Sequence, residues 1–69
     1  MYEIVLNGET RGVAEGSTVL SLLNELGIPA ERVAVELDRV ILKPAAWGET
    51  PLEPGARLEI VHFVGGGRR

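Results

Sequence analysis

The sequence predicts an α+β domain in which one helix packs across one face of a small sheet. Three observations predict this fold: alternating apolar residues open and close the chain, a single helical apolar stripe lies between them, and strong turn signals separate the segments. The chain has 69 residues and is therefore expected to be one domain. A domain of this size buries roughly 60% of the surface that its unfolded chain exposes, so its core is thin.

The start of the chain predicts a β-hairpin. Large apolar side chains recur at every second position from Tyr2 to Leu6, which is the period of a strand. Asn7-Gly8 follows at once, and this dipeptide favours a two-residue turn because both residues tolerate a positive φ. We expect Thr10 to Val13 to be the returning strand, with Gly12 marking either a bulge or a close approach of another group.

One helix is predicted after this hairpin. Ser17 or Thr18 can cap it by accepting a hydrogen bond from a free backbone amide of the first turn. Gly27 stands where a left-handed C-cap residue is expected, and Pro29 prevents continuation soon after. The helix is therefore expected from Val19 to Leu26. Its apolar residues fall on one face, at Val19, Leu22, Leu23 and Leu26.

The second half of the chain predicts three more strands. Alternation over residues 33–37 indicates one strand, Asp38-Arg39 a turn, and Val40 to Leu42 a short further strand. Pro44 to Trp47 suits a single helical turn with proline near its start. The last strand is expected from Leu58 to Val64, because this segment is rich in β-branched and aromatic residues.

This order of elements is that of the β-grasp, or ubiquitin-like, fold. We therefore expect a mixed sheet of four to five strands, with the one main helix packed across one face. Likeness to that fold further implies that the first and last strands lie side by side in the middle of the sheet. The apolar character of the last strand agrees with such a place.

Composition excludes several classes of function. Seven basic residues against ten acidic ones give a net charge of −3, which argues against a nucleic-acid binder. The sequence has no cysteine, so it predicts no disulfide, thiolate metal site or iron–sulfur cluster, and a β-grasp ferredoxin is ruled out. A single histidine, His62, argues against a multi-histidine metal site. No secretory or membrane-spanning segment is evident, which predicts a soluble, cytoplasmic protein.

The end of the sequence carries its strongest functional signal. Gly65, Gly66 and Gly67 follow the last strand directly, so we expect a folded domain at 1–64 and a flexible glycine-rich tail at 65–69. Without a Cβ, such a tail can thread a narrow channel of a partner enzyme and present a carboxylate to ATP. Adenylation would make that carboxylate an electrophile, and a sulfur nucleophile could then displace AMP. The alternative is a merely disordered end, which is common among termini.

Several short segments follow one another in a definite order: Leu6-Asn7-Gly8-Glu9, Ser17-Thr18-Val19, Leu22-Leu23, Leu26-Gly27, Arg32 to Leu37, Pro44, Trp47, Thr50-Pro51-Leu52, Pro54 to Val61, and Val64-Gly65-Gly66-Gly67. Their order and spacing resemble the ThiS family of sulfur carriers in thiamin biosynthesis. That family belongs to a wider group with the molybdopterin-synthase small subunit and the ubiquitin-related modifiers. The resemblance covers nearly the whole chain.

The resemblance implies how the tail would act. Gly66-Gly67 matches the terminal diglycine of the family, so Gly67 would carry first the adenylate and then a thiocarboxylate, while Gly65 and Gly66 thread the channel. The chain would be a protein co-substrate and not an enzyme, with no bound cofactor and with ATP used by its activating enzyme. Its implied partners are a ThiF-like activating enzyme, a cysteine desulfurase as the sulfur source, and a ThiG-like thiazole synthase.

The sequence departs from the family after Gly67. Arg68 and Arg69 follow, whereas members of the family end at the diglycine. An amide-bonded glycine has no free carboxylate and cannot form an acyl adenylate. We therefore expect a processing protease to remove the two arginines before activation.

Most of the remaining distinctive side chains are expected to have structural roles, and two are expected to contact a partner. Trp47 is expected to be a packing anchor, and lone His62 a structural or solvent-facing residue without an acid–base role. Glu36 and Asp38 are interpreted as solvated charges. Phe63 and Val64 are expected to form part of a partner interface, because alternation leaves an apolar side of the last strand exposed.

Three alternatives remain open at the level of sequence. The carrier could serve another pathway, such as molybdopterin, cysteine or a secondary metabolite, or thiolated tRNA. It could be a ubiquitin-like modifier that ends in an isopeptide bond, or an interaction module with an inert tail. We expect a monomer, because conjugation requires a free tail.

Overall fold

The computed structural model describes residues 1–63, and residues 64–69 lie outside that description. Five strands form one mixed sheet in the order β2-β1-β5-β3-β4, and one helix of eight residues packs against it. Strands β1 and β5 run parallel, and every other neighbouring pair is antiparallel. The elements are β1 (Tyr2–Leu6), β2 (Glu9–Val13), α1 (Val19–Leu26), β3 (Val33–Leu37), β4 (Val40–Leu42) and β5 (Arg57–His62), with short 3₁₀ segments at Ala30–Arg32 and Pro44–Glu49.

This architecture confirms the predicted fold class. The sheet has five strands, with one main helix as expected, and the first and last strands are neighbours inside it. Among residues 1–63, no helix is both long enough and apolar enough to cross a membrane.

Both hairpins close with the two-residue turns that the sequence predicts. Asn7 and Gly8 have φ values of 50° and 85°, and Asp38 and Arg39 have values of 50° and 71°. Positive φ at both central residues gives the turn a twist that matches the twist of the flanking strands. β2 begins one residue earlier than expected. Gly12 lies in regular register and marks no bulge, but a Cβ there would lie 3.3 Å from the sulfur of Met1.

The helix has the bounds that its caps predict. The Thr18 Oγ1 accepts a hydrogen bond from the Ser21 backbone N–H at 3.1 Å, and the Ser21 Oγ accepts one from the Thr18 N–H at 2.8 Å. This reciprocal pair is a capping box, with serine in the place where glutamate is more usual. At the other end, Gly27 adopts φ 72° and ends the helix in the left-handed conformation.

The core lies between the helix and one face of the sheet. Trp47 is 1% exposed, and its indole Nε1 donates a hydrogen bond to the Leu42 carbonyl at 3.1 Å, which confirms its assignment as a packing anchor. The helical turn that carries it is longer than expected and runs over Pro44–Glu49. The buried apolar residues are Ile4, Val13, Val19, Leu22, Leu23, Val33, Val35, Trp47, Leu52, Ala56, Leu58 and Ile60.

The end of the last strand was predicted wrongly. Strand β5 runs over Arg57–His62 and not from Leu58 to Val64. Its length follows that of its neighbour, since His62 is paired with Val33, the first residue of β3. The β-propensity of the residues predicts a longer strand. Strand β5 instead ends where its pairing with β3 ends, at the first residue of that neighbour.

Candidate functional site

The structure describes the base of the predicted tail and not the tail itself. Among the residues assigned to the site from sequence, Phe63 lies within the described part, directly after β5. The assignments made for Val64, Gly65, Gly66, Gly67, Arg68 and Arg69 lie outside the described residues. The candidate site is therefore built from the end of β5 and the sheet face around it.

The position from which the tail leaves is fixed by the most central strand. Strand β5 lies between β1 and β3 and pairs with β3 through five consecutive residues, from Leu58 to His62. The Phe63 N–H then donates to the Arg32 carbonyl at 2.9 Å, one residue past the last strand pair. The backbone that leads into the tail is therefore held by hydrogen bonds as far as Phe63.

On its other side, β5 pairs with β1 only at its first two residues, Arg57 and Leu58. Strand β1 pairs with β5 at Val5 and Leu6 and then turns away into the hairpin. Beyond that point the Asn7 side chain takes over. Its Oδ1 accepts from the Ile60 N–H at 2.8 Å, and its Nδ2 donates to the Ile60 carbonyl at 3.3 Å.

The start of β5 is held by the other hairpin turn. The Asp38 Oδ1 accepts from the Arg57 N–H at 3.0 Å, and the Asp38 N–H donates to the Arg57 carbonyl at 2.7 Å. The sequence reading of Asp38 as a merely solvated charge was therefore incomplete, because it also binds the backbone of the central strand. The only sequence signal for either contact is an Asn or Asp in the first position of a two-residue turn.

Side chains of β5 alternate between the core and the helix-free face of the sheet. Leu58 and Ile60 are buried, whereas Val61 is 56% exposed and Phe63 is 61% exposed. Such alternation was predicted for Phe63, and its exposure confirms that an apolar side of the last strand is left uncovered in the described fold. His62, for which no chemical role was predicted, is also exposed.

Apolar residues on this face continue onto the neighbouring strands, where Ala34 is half-buried and Ile41 is exposed. Ala34 of β3 is paired with Val61, and Ile41 of β4 is paired with Glu36, two residues further along β3. Ile41 is 70% exposed. We call Ala34, Val61 and Phe63 the tailward patch, because they lie at the end of the helix-free face from which the tail leaves, whereas Ile41 lies level with Glu36 and Glu59 towards the other end. Exposed apolar surface of this kind is typical of protein–protein interfaces.

The opposite end of the helix-free face is charged. A shallow groove of about 330 Å³ lies there, lined by Glu36, Arg39, Arg57 and Glu59. Glu36 and Glu59 are directly paired across the strands, an arrangement of like charges that weakens a sheet. Within residues 1–63, no cluster of three or more histidine, aspartate or glutamate side chains is arranged to bind a metal.

Comparison with known proteins gives consistent results. A model of the ThiS family matches residues 4–67. A thiazole synthase from Paramagnetospirillum magneticum is 40% identical over 65 residues, which are 94% of this chain and 20% of that protein. A thiazole synthase from Magnetococcus marinus is 38% identical over 66 residues, which are 96% of this chain and 20% of that protein. This chain thus spans about a fifth of the length of these curated relatives.

A solved structure has the same fold over nearly its whole length. The crystal structure of the thiamine biosynthesis protein ThiS from Geobacter metallireducens is 35% identical and superposes with a TM-score of 0.81. The match covers 94% of this chain and 99% of that one. The family match begins within β1, takes in the helix and the other four strands, and continues to Gly67. This chain therefore belongs to the ThiS family.

Proposed function

We propose that this chain carries sulfur on the main-chain carboxyl group of Gly67 and delivers it to thiazole synthesis in the thiamin pathway. In the first step the Gly67 carboxylate attacks the α-phosphorus of ATP, pyrophosphate leaves, and an acyl adenylate forms. In the second step a persulfide, formed by a cysteine desulfurase, displaces AMP and gives an acyl disulfide. A thiol then attacks the sulfur of that disulfide that is remote from the acyl group, so a new disulfide forms and the thiocarboxylate is released. ATP is bound by a ThiF-like activating enzyme, and the carrier supplies no acid, base or metal.

The observation that carries this proposal is the extent of the family match. It runs from the first strand to residue 67, so it includes the glycines as well as the folded domain. The geometry supports the same role, because the glycines follow the most central strand of the sheet after one intervening residue beyond Phe63. A central strand is an anchor that can hold the base of a tail in one position while a partner enzyme receives its end.

Removal of Arg68 and Arg69 is part of the proposal. As long as Arg68 is attached, the Gly67 carbonyl belongs to an amide and cannot attack ATP as a carboxylate. A processing protease that cleaves after Gly67 would create the reactive group. Processing would also separate synthesis of the carrier from its activation.

Docking on the activating enzyme is proposed to use Phe63 and Val64, together with the rest of the tailward patch. Phe63 and Val61 are exposed on the helix-free face, close to where the tail leaves. Burying an aromatic side chain gives a large gain in binding free energy because it removes much apolar surface from water. Such a contact would also bring the glycines to the enzyme in a set direction.

Delivery to a ThiG-like thiazole synthase is supported by two relatives. Both curated proteins that match this chain at 38–40% identity are named thiazole synthase, and the match occupies a fifth of each. A segment like this chain is thus present within proteins of that name. This favours thiazole synthesis over the other sulfur-requiring pathways as the destination.

The test uses three forms of the chain: all 69 residues, a form ending at Gly67, and a form ending at Gly65. Each is incubated with a ThiF-like enzyme, ATP and a sulfur source, and followed by pyrophosphate release and intact mass. We expect only the form ending at Gly67 to release pyrophosphate and to gain the mass of sulfur in place of oxygen. Equal activity of the intact 69-residue form would overturn the processing step, and inactivity of all three forms would overturn the carrier proposal. Conjugates with other proteins would indicate a modifier instead.

A further inference from the structure

The backbone hydrogen bonds of β5 alternate between its two neighbours. The carbonyls of Ala56 and Leu58 accept from the β1 side, from Val5 and Asn7 at 2.8 Å and 2.9 Å. Arg57 bonds instead to Asp38, on the β3 side. By this alternation Ile60 directs its N–H and carbonyl towards β1, where the backbone of β1 has already turned away. The Asn7 side chain meets both groups.

Asn7 thus extends the ladder between β1 and β5 by one step. Its backbone N–H bonds to Leu58, and its side-chain amide supplies the next acceptor and donor for Ile60. Few residues can do both at this position. The φ of 50° requires a residue that tolerates the left-handed region, and the pair of bonds requires one donor and one acceptor on a short side chain. Aspartate offers only acceptors when ionised, and glycine offers neither.

We propose that Asn7 is a positioning residue for transfer chemistry at the tail. It acts through β5: by holding Ile60 on the side that β1 leaves open, it fixes the last segment of the strand before Phe63. Ile60 stands seven residues before Gly67 in the sequence. If the end of the strand were less constrained, the tail would leave it in a wider range of directions, and the glycines would reach the partner enzyme less often in the productive one. This inference rests on the proposed function of Gly67.

Asp38 provides a matched control within the same chain. It too is the first residue of a two-residue turn, has φ 50°, and accepts a hydrogen bond from a backbone N–H of β5. The difference is its place, since Asp38 holds the start of the strand at Arg57, at the end remote from the tail. Substitution of either residue by glycine removes a side-chain hydrogen bond to the central strand. Only the substitution of Asn7 removes one near the tail.

The experiment compares Asn7→Gly, Asn7→Asp and Asp38→Gly, each made in the form ending at Gly67. All three keep a residue that accepts positive φ, so the turns are retained. Circular dichroism and thermal unfolding establish a temperature at which each variant is folded. Amide hydrogen exchange is then measured by NMR at Ile60, Val61 and His62, and adenylation kinetics are measured against carrier concentration.

Asn7→Gly is expected to accelerate exchange at Ile60 by roughly tenfold, because the amide loses its hydrogen-bond acceptor. It is also expected to lower kcat/KM for adenylation by about tenfold, mainly in kcat, because a misplaced reacting group costs rate even when docking persists. Asn7→Asp keeps the acceptor for the Ile60 N–H. Its exchange rate at Ile60 and its kcat/KM for adenylation should therefore lie between those of Asn7→Gly and the parent chain. Asp38→Gly should leave kcat within about twofold.

Two results would overturn the inference. One is an equal fall of kcat in Asn7→Gly and Asp38→Gly, which would assign both residues to general stability. The other is unchanged exchange at Ile60 in Asn7→Gly, which would show that the amide does not hold the strand. Failure of the parent chain to be adenylated would instead overturn the proposed function, and with it the role of Asn7 in transfer. The exchange measurement needs no enzyme and would still decide whether Asn7 holds the strand.

Discussion

Strand β5 presents two different faces to its surroundings. Leu58 and Ile60 lie in the core under the helix, whereas Val61 and the following Phe63, on the other face, are more than half exposed. The two sets have similar apolar character, so hydrophobicity alone does not distinguish them. The difference is that the helix packs on one face of the sheet and buries the residues there, whereas it leaves the other face exposed. Residues of one strand can thus stabilise the fold and, one position later, remain available to a partner.

The largest expected effect is on the covered face. Leu58→Ala should lower the free energy of unfolding by about 3 kcal/mol, because it removes buried methyl groups and leaves a cavity in a thin core. Urea unfolding followed by circular dichroism measures this change. Glu59→Ala, one position along on the open face, is the matched control and should change stability by less than about 0.5 kcal/mol. Similar losses in the two variants would contradict the division of the strand into two faces.

The open face is tested by Phe63→Asp. We expect kcat/KM for adenylation to fall at least about thirtyfold, as for an interface residue that contributes strongly to binding, with an unchanged circular dichroism spectrum. Phe63→Leu keeps an apolar side chain and should retain most of the activity. If Phe63→Asp unfolds the protein, Phe63 belongs to the fold and the distinction between the faces fails at this position.

A smaller effect is expected in the first turn, which belongs to neither face. Gly8 has φ 85°, and a Cβ added there would meet no atom within 4 Å. Gly8→Ala should therefore cost about 1 kcal/mol through backbone strain alone. Gly48→Ala is the control, because its added Cβ would lie at an ordinary 3.5 Å from Leu20 and Gly48 does not have a positive φ. Equal stability of Gly8→Ala and the parent chain would argue against the positive φ.

The smallest effect is a gain of stability in the second turn. Arg39 has φ 71°, which is unfavourable for a residue with a Cβ. Arg39→Gly should raise the free energy of unfolding by about 0.5 kcal/mol, the relief of strain less the entropy that glycine loses on folding. Thermal unfolding measures the gain. A loss instead would mean that Arg39, which lines the charged groove with Glu36 and Glu59, stabilises that like-charge pair.

Much of the fold could be predicted because its signals are local. The bounds of α1 follow from Thr18, the apolar stripe and Gly27, which all act within one or two turns of the helix. Both two-residue turns follow from dipeptides that accept positive φ. The end of β5 was missed because strand length depends on the partner strand, and β3 begins only at Val33.

The candidate site could be predicted only in part, for the same reason. The glycines were identified from their position after the last strand, and the exposure of Phe63 followed from alternation. The bonds from Asn7 to Ile60 join residues 53 positions apart, and the bond to Asp38 spans 19. No local pattern encodes such pairs, because they depend on which strands become neighbours in the sheet.

The central claim is that Gly67 carries sulfur after the two arginines are removed. Intact mass spectrometry of the untagged protein, purified from its own cells while they synthesise thiamin, tests it most directly. The account predicts a species that lacks Arg68 and Arg69 and has gained the mass of sulfur in place of oxygen at the new terminus. A single species that retains both arginines and carries no modification would contradict it.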